Sequence, residues 1–133
     1  MSRMIFVNLP VKDLARSVDF FGALGFEFNP QFTDENATYM IINDQAAVML
    51  LVEEFYSTFT HKQIADASQV SEVLVGVSAE SREAVDEFVA TATAKGATEA
   101  GEPMDMGMMY QRAFHDLDGH KWEIIWMDPT ATG

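Results

Sequence analysis

The chain contains no cysteine in its 133 residues, which removes both a disulfide framework and thiolate chemistry. It is also poor in positive charge, with 8 Lys and Arg against 21 Asp and Glu and a formal net charge of −13. Nucleic acid and anionic membrane surfaces call for the opposite sign, so neither is expected as a partner. No apolar run approaches the roughly 20 residues of a membrane-spanning helix. The opening Met1-Ser2-Arg3-Met4-Ile5 flows into a strand pattern, without the long apolar stretch and cleavage site of a secretory signal. A cytoplasmic protein is the expectation. Hydrophobic residues, at 48%, are abundant enough to fill a core. The length suits one domain, or two small modules sharing a core.

One arrangement is written twice along the chain. Ile5 to Val11 alternates as a strand, with Ile5, Val7, Leu9 and Val11 on one side and Phe6, Asn8 and Pro10 on the other. Asp13 can cap a helix to about Leu24, with Leu14, Val18, Phe21 and Leu24 at helical spacing and Gly25 as its stop. Strands are predicted over 26–32, 38–43 and 46–53. The second half repeats the order: a strand over 72–77, a helix from Ser81 with Val85, Phe88, Val89 and Ala92 apolar, and Gly96 as its stop. Strands over 98–103, 109–115 and 121–127 complete it. This divides a single domain into a module over about 3–53, a connecting segment over 54–69 and a module over 70–128. The connecting segment carries Phe55, Tyr56 and Phe59, more rings than a plain spacer needs, so it is expected to pack on the body or on a second subunit.

Asp116-Leu117-Asp118-Gly119-His120-Lys121-Trp122-Glu123-Ile124 is the most informative phrase. Asp-Gly allows a tight turn into a strand. Beyond it Trp122, Ile124 and Trp126 face one side, and Glu123, Ile125 and Met127 the other. A lone carboxylate among Ile and Met is costly to bury without a partner or ligand. His120 in the turn is expected to face solvent, His115 could face a cleft, and no partner can be read for His61.

Two passages, Leu9 to Phe26 and Asp116 to Glu123, resemble the opening and closing phrases of the vicinal oxygen chelate superfamily, which includes glyoxalase I, bleomycin-resistance proteins and extradiol dioxygenases. The resemblance implies an α+β fold of two βαβββ modules whose curved mixed sheets surround a cleft, in a homodimer. Metal-dependent members hold a divalent ion at four positions, which fall here at Phe6, Met49, Glu72 and Glu123. Phe6 offers no ligand and a Met49 thioether does not suit a hard ion, so Glu72 and Glu123 are the metal or catalytic candidates that remain. They could hold an ion weakly, or share a cleft so that one acts as an acid or base. Alternatively, Glu72 is solvated and Glu123 pairs with Arg112 or Tyr110. Strand alternation lines the implied cleft with Phe6, Asn8, Met49, Leu51, Leu74, Ile125 and Met127 beside the two Glu residues, a largely apolar wall suited to a small molecule. Met104 to Met109, four Met residues round Gly107, is a candidate lid, with Met109 a further ligand-binding candidate. Three functions compete: a metal-free small-molecule binder, a divalent-metal-dependent glyoxalase-like lyase or isomerase (with a dioxygenase less favoured), and a structural or regulatory dimer. The cofactor stays open.

Overall fold

A computed structural model describes residues 3–130. The chain divides between Ile64 and Ala65 into two compact units. The first begins with β1, Ile5–Val11. Helix α1, Leu14–Ala23, follows, and Asp13 caps it by accepting from the Arg16 amide at 3.0 Å. Gly25 ends it at φ 100°, where a side chain would be strained. The helix buries Ser17, Phe20 and Phe21, so of the predicted stripe Phe21 is buried while Leu14, Val18 and Leu24 are half-buried. The two adjacent rings, Phe20 and Phe21, meet edge to face at 4.9 Å.

Strand β2 is only Glu27–Asn29. The predicted strand to Phe32 stops because Pro30 lacks an N–H and opens a short 3-10 turn, capped by the Asn29 side chain on the Gln31 amide. β3, Ala37–Asn43, and β4, Ala46–Val52, complete a sheet ordered β1-β4-β3-β2. β1 and β4 run parallel and the other pairs antiparallel. One face buries Leu9, Val11, Met40, Val48 and Leu50. Burial of such a side chain contributes roughly 1.5–3 kcal/mol. After β4 the chain turns through α2, Glu53–Tyr56, and a 3-10 turn, Ser57–Phe59.

The second unit repeats the order. β5 is Leu74–Ser78, two residues later than predicted, so Val73 and Glu72 precede it. Helix α3, Arg82–Ala94, has Ser81 as its cap and buries Val85, Val89 and Ala92, while Phe88 stacks on Phe114 at 6.2 Å. Of the predicted strand over 98–103 only β6, Thr98–Glu99, forms; after a bend with Gly101 at φ 80° comes a separate short strand, β7, Met104–Asp105. β8, Met109–His115, and β9, Lys121–Met127, give the order β5-β9-β8-β6, with β7 also on β8. Each unit is therefore a βαβββ module with a mixed sheet, and the class is α+β. Among the described residues no helix is long and apolar enough to cross a membrane.

Candidate functional site

Residues paired across neighbouring strands point to the same face of a sheet. In the first unit Asn8 pairs with Met49, and Met49 with Tyr39. Phe6 pairs with Ala47 and Ala37 with Leu51 on that same face. Phe6, Asn8, Met49 and Leu51 thus share the face opposite α1, as alternation predicts. Tyr39 belongs with them and was not singled out. Its ring meets Phe6 edge to face at 5.9 Å and stacks on Phe32 at 5.5 Å. Phe6 is 48% exposed and Phe32 57%, so two aromatic surfaces stay open.

The connecting segment returns to this face. Tyr56, Phe59 and Thr60 join Asn8 and Leu51 round a cavity of about 300 Å³. Phe59 is held edge to face by Phe55 at 5.1 Å. Asn8 is exposed, and its amide has no side-chain partner among the described residues. This cavity is apolar with one amide and two hydroxyls, the make-up of a site for a small organic molecule. The signal that could have found it was the density of rings after β4.

In the second unit Glu123 pairs with Gly76 on one side and Ala113 on the other. Two of the smallest residues thus flank it on the neighbouring strands. His115, Gln111, Lys121 and Ile125 share its face by register. The half-buried Glu123 makes no hydrogen bond or ion pair among the described residues. The expected partners are on the opposite face. The Tyr110 hydroxyl donates to Asp86 at 2.6 Å, while Arg112 bridges Asp86 at 3.0 Å and Glu99 at 2.6 Å. The hydrogen bonds from Tyr110 and then Arg112 hold the Asp86 carboxyl below its usual range, and the Tyr110 phenol is raised in return.

Glu72 lies before β5, exposed, and lines a pocket of about 370 Å³ with Ser68, Leu74, His115, His120 and Lys121. Glu123 does not line it, so this pocket brings only one of the two carboxylates to its wall. Register assigns Gly76 to the place beside Glu123 that Asn8 takes beside Met49. Counting back two residues, Leu74 stands where Phe6 does, and the position aligned to Glu72 shifts to Leu74. By the same register Ala79 takes the place of Val11. Ile125, Met109 and Met127 share the Glu123 face, Met109 pairing with Met127.

His120 is 7% exposed and not solvent-facing. Asp116, equally buried, organises the turn around it. One carboxylate oxygen accepts from the Asp118 and His120 amides at 2.9 and 3.0 Å, and the other from the Trp122 indole N–H at 3.0 Å. Burial pushes this carboxyl upward, opposed by His120, Trp122 and the Asp118 amide. The turn is thus a structural anchor. Gly119, at φ 94°, touches the chain entering the module, since a Cβ there would lie 2.8 Å from backbone atoms of Ala67 and Ser68.

Phe6 and Met49 supply no oxygen or nitrogen ligand, and Glu72 is off the strand. Among the described residues no three His, Cys, Asp or Glu side chains cluster so as to hold a metal.

Residues 3–43 match the family model of bleomycin resistance protein-like N-terminal regions. Among solved structures, hypothetical protein SA1046 from S. aureus is 28% identical over 95% of each chain, with a TM-score of 0.79. A glyoxalase/bleomycin resistance protein/dioxygenase family enzyme from Burkholderia phytofirmans is 19% identical, covering 95% of this chain and 99% of its own, with a TM-score of 0.78. The fosfomycin resistance protein FosX from Listeria monocytogenes is 19% identical, covering 95% and 93%, with a TM-score of 0.66. No curated protein matches the sequence.

Proposed function

We propose that this chain, a member of the vicinal oxygen chelate superfamily, is a small-molecule-binding protein whose metal site has lost ligands. The observation that carries the reading is the cavity of about 300 Å³ beside Asn8 and Leu51, with Tyr56 and Phe59 from the connecting segment. Phe6, Tyr39 and Phe32 extend the same unit's aromatic surface. Such a wall stacks a flat, uncharged or weakly cationic ligand, and the Asn8 amide orients one polar group on it. Superfamily relatives named for bleomycin and fosfomycin resistance give two starting ligands. A cytoplasmic homodimer is part of the same reading, and mass in solution tests the dimer.

Calorimetric titration with bleomycin, with fosfomycin and with the uncharged aromatic probe N-phenyl-1-naphthylamine is the direct experiment. Saturable binding of an aromatic ligand, weakened about tenfold or more by Tyr56→Ala and by Asn8→Ala, is the expected result. Equal binding by wild type and both variants would overturn the assignment of the cavity.

The alternative, a divalent-metal-dependent lyase or isomerase, has one observation in its favour: Glu123 is half-buried, unpaired and flanked by Gly76 and Ala113. A carboxylate left open in this way could move a proton at a bound carbonyl compound. Titration of metal-stripped protein with Ni, Mn, Fe(II) and Zn distinguishes the two. Stoichiometric binding at micromolar affinity or tighter, lost in Glu123→Gln, would put the enzyme ahead.

A further inference from the structure

The Met-rich hairpin has a feature that neither reading uses. β7 and β8 pair Met104 with Gln111 and Asp105 with Tyr110, and the Met106 amide continues the ladder by donating to the Met109 carbonyl at 2.8 Å. Met109 in turn pairs with Met127 on β9. Side chains on paired residues share a face, and they alternate along each strand. Met104, Met106, Met109 and Met127 therefore project from one face at one corner of the sheet. Direct neighbours there stand about 4.5–5.5 Å apart at Cβ and diagonal ones about 7–8 Å, within reach of flexible thioether arms. Three of the four are wet, with Met104 49%, Met106 65% and Met127 53% exposed.

The opposite face makes the hairpin rigid. Arg82 from α3 binds Asp105 through two bonds of 2.8 and 2.9 Å and the Gly107 carbonyl at 2.7 Å. Its guanidinium also lies 5.1 Å from the Tyr110 ring centre and 5.2 Å from that of Trp126. The Asp128 amide ties the end of β9 to the Met108 carbonyl at 2.7 Å. Asp105, the carboxylate within the hairpin, is turned away from the Met face and engaged by Arg82.

We propose that Met104, Met106 and Met109, with Met127 alongside, form a coordination site for a soft monovalent cation, Cu(I) or Ag(I). Thioether sulfur is a soft donor that selects such ions and disfavours Mg, Mn and Zn. Three neutral sulfurs leave the ion its positive charge, which the acidic protein tolerates well at a net −13. Preorganisation by Arg82 lowers the ordering cost of gathering several flexible arms.

The test is NMR of protein carrying ¹³C-methyl Met, titrated with Ag(I) nitrate in a chloride-free and thiol-free buffer. The methyl signals of Met104, Met106 and Met109 should shift together and saturate at one equivalent. Met4, 40% exposed in the other unit, is the internal control and should not move. The Met104→Leu, Met106→Leu double variant should lose at least tenfold in Ag(I) affinity while still binding the aromatic probe at the first-unit cavity. Because Leu preserves apolar volume, failure of the metal site and failure of the ligand site are read separately. Arg82→Gln should weaken Ag(I) binding severalfold with every sulfur present. Shifts of Met4 in parallel with the hairpin signals, or an unchanged affinity in the double variant, would overturn the site.

Discussion

Removal of the Asp116 carboxylate tests whether the turn between β8 and β9 is an anchor. Three N–H groups converge on it, from Asp118, His120 and the Trp122 indole. Asp118 lies at a half-buried turn position where water can substitute, but His120 is buried and Trp122 is 0% exposed. Asp116→Ala therefore removes the acceptor of two buried donors, at about 1–3 kcal/mol each, or roughly 2–6 kcal/mol together. Asp116→Asn can keep one accepting oxygen for the two amides but sets its NH2 against the indole N–H, so it should cost about 1–3 kcal/mol. Against a domain stability of about 5–15 kcal/mol either loss is large. Urea unfolding followed by tryptophan fluorescence is the assay, since both tryptophans, Trp122 and Trp126, lie in the second unit. At a slope of about 1–3 kcal/mol per molar urea the Ala variant should unfold at least about 0.7 M earlier. A loss below about 1 kcal/mol for Asp116→Ala, at unchanged slope, would refute the anchor.

Gly119→Ala should cost at least about 2 kcal/mol, because the left-handed backbone alone costs roughly 1–2 kcal/mol and the contact with Ala67 and Ser68 adds to it; a melting temperature equal to wild type would contradict this. Asp105 should titrate at about 2, held there first by its hydrogen bonds from Arg82. Its lowered value adds stability that is complete above the ordinary value of 3.8 and fades as pH falls through about 2. In Arg82→Gln the carboxyl ¹³C titration should move back toward 3.8, and an unmoved curve would deny the bridge. Glu123→Gln should change stability by no more than about 0.5 kcal/mol, as expected for a side chain without a partner; a loss beyond about 1 kcal/mol by urea unfolding would reveal one.

Strand faces were legible because alternation needs no knowledge of neighbours: Phe6, Asn8, Met49 and Leu51 do share a face, as do Glu123, Ile125 and Met127. Register across strands is not written in any one strand, and that is where the sequence reading slipped. Glu72 falls two residues short of β5, since likeness between the modules carries no hydrogen-bonded register. His120 was misjudged for a related reason. An Asp-Gly turn ordinarily faces water, but the Ala67–Ser68 backbone lies directly on Gly119. Arg112 and Tyr110 alternate away from Glu123, which the pattern of β8 allowed one to see once its pairing with β9 was known. Of the connecting segment's rings, expected to pack, Phe55 and Tyr56 are half-buried while Phe59 stays 70% exposed, and the cavity they help to line needed three dimensions.

The contact between Gly119 and residues 67 and 68 also determines where the protein could be divided. A second-module fragment started at Val70, a natural choice from the strand pattern, would omit the backbone that covers the far hairpin and leave Gly119 facing an unfilled step. A fragment started at Ala65 would keep Asp66, which orders this approach through its bonds to the Ser68 amide and hydroxyl. What looks like a linker is, at its end, already part of the module it leads into.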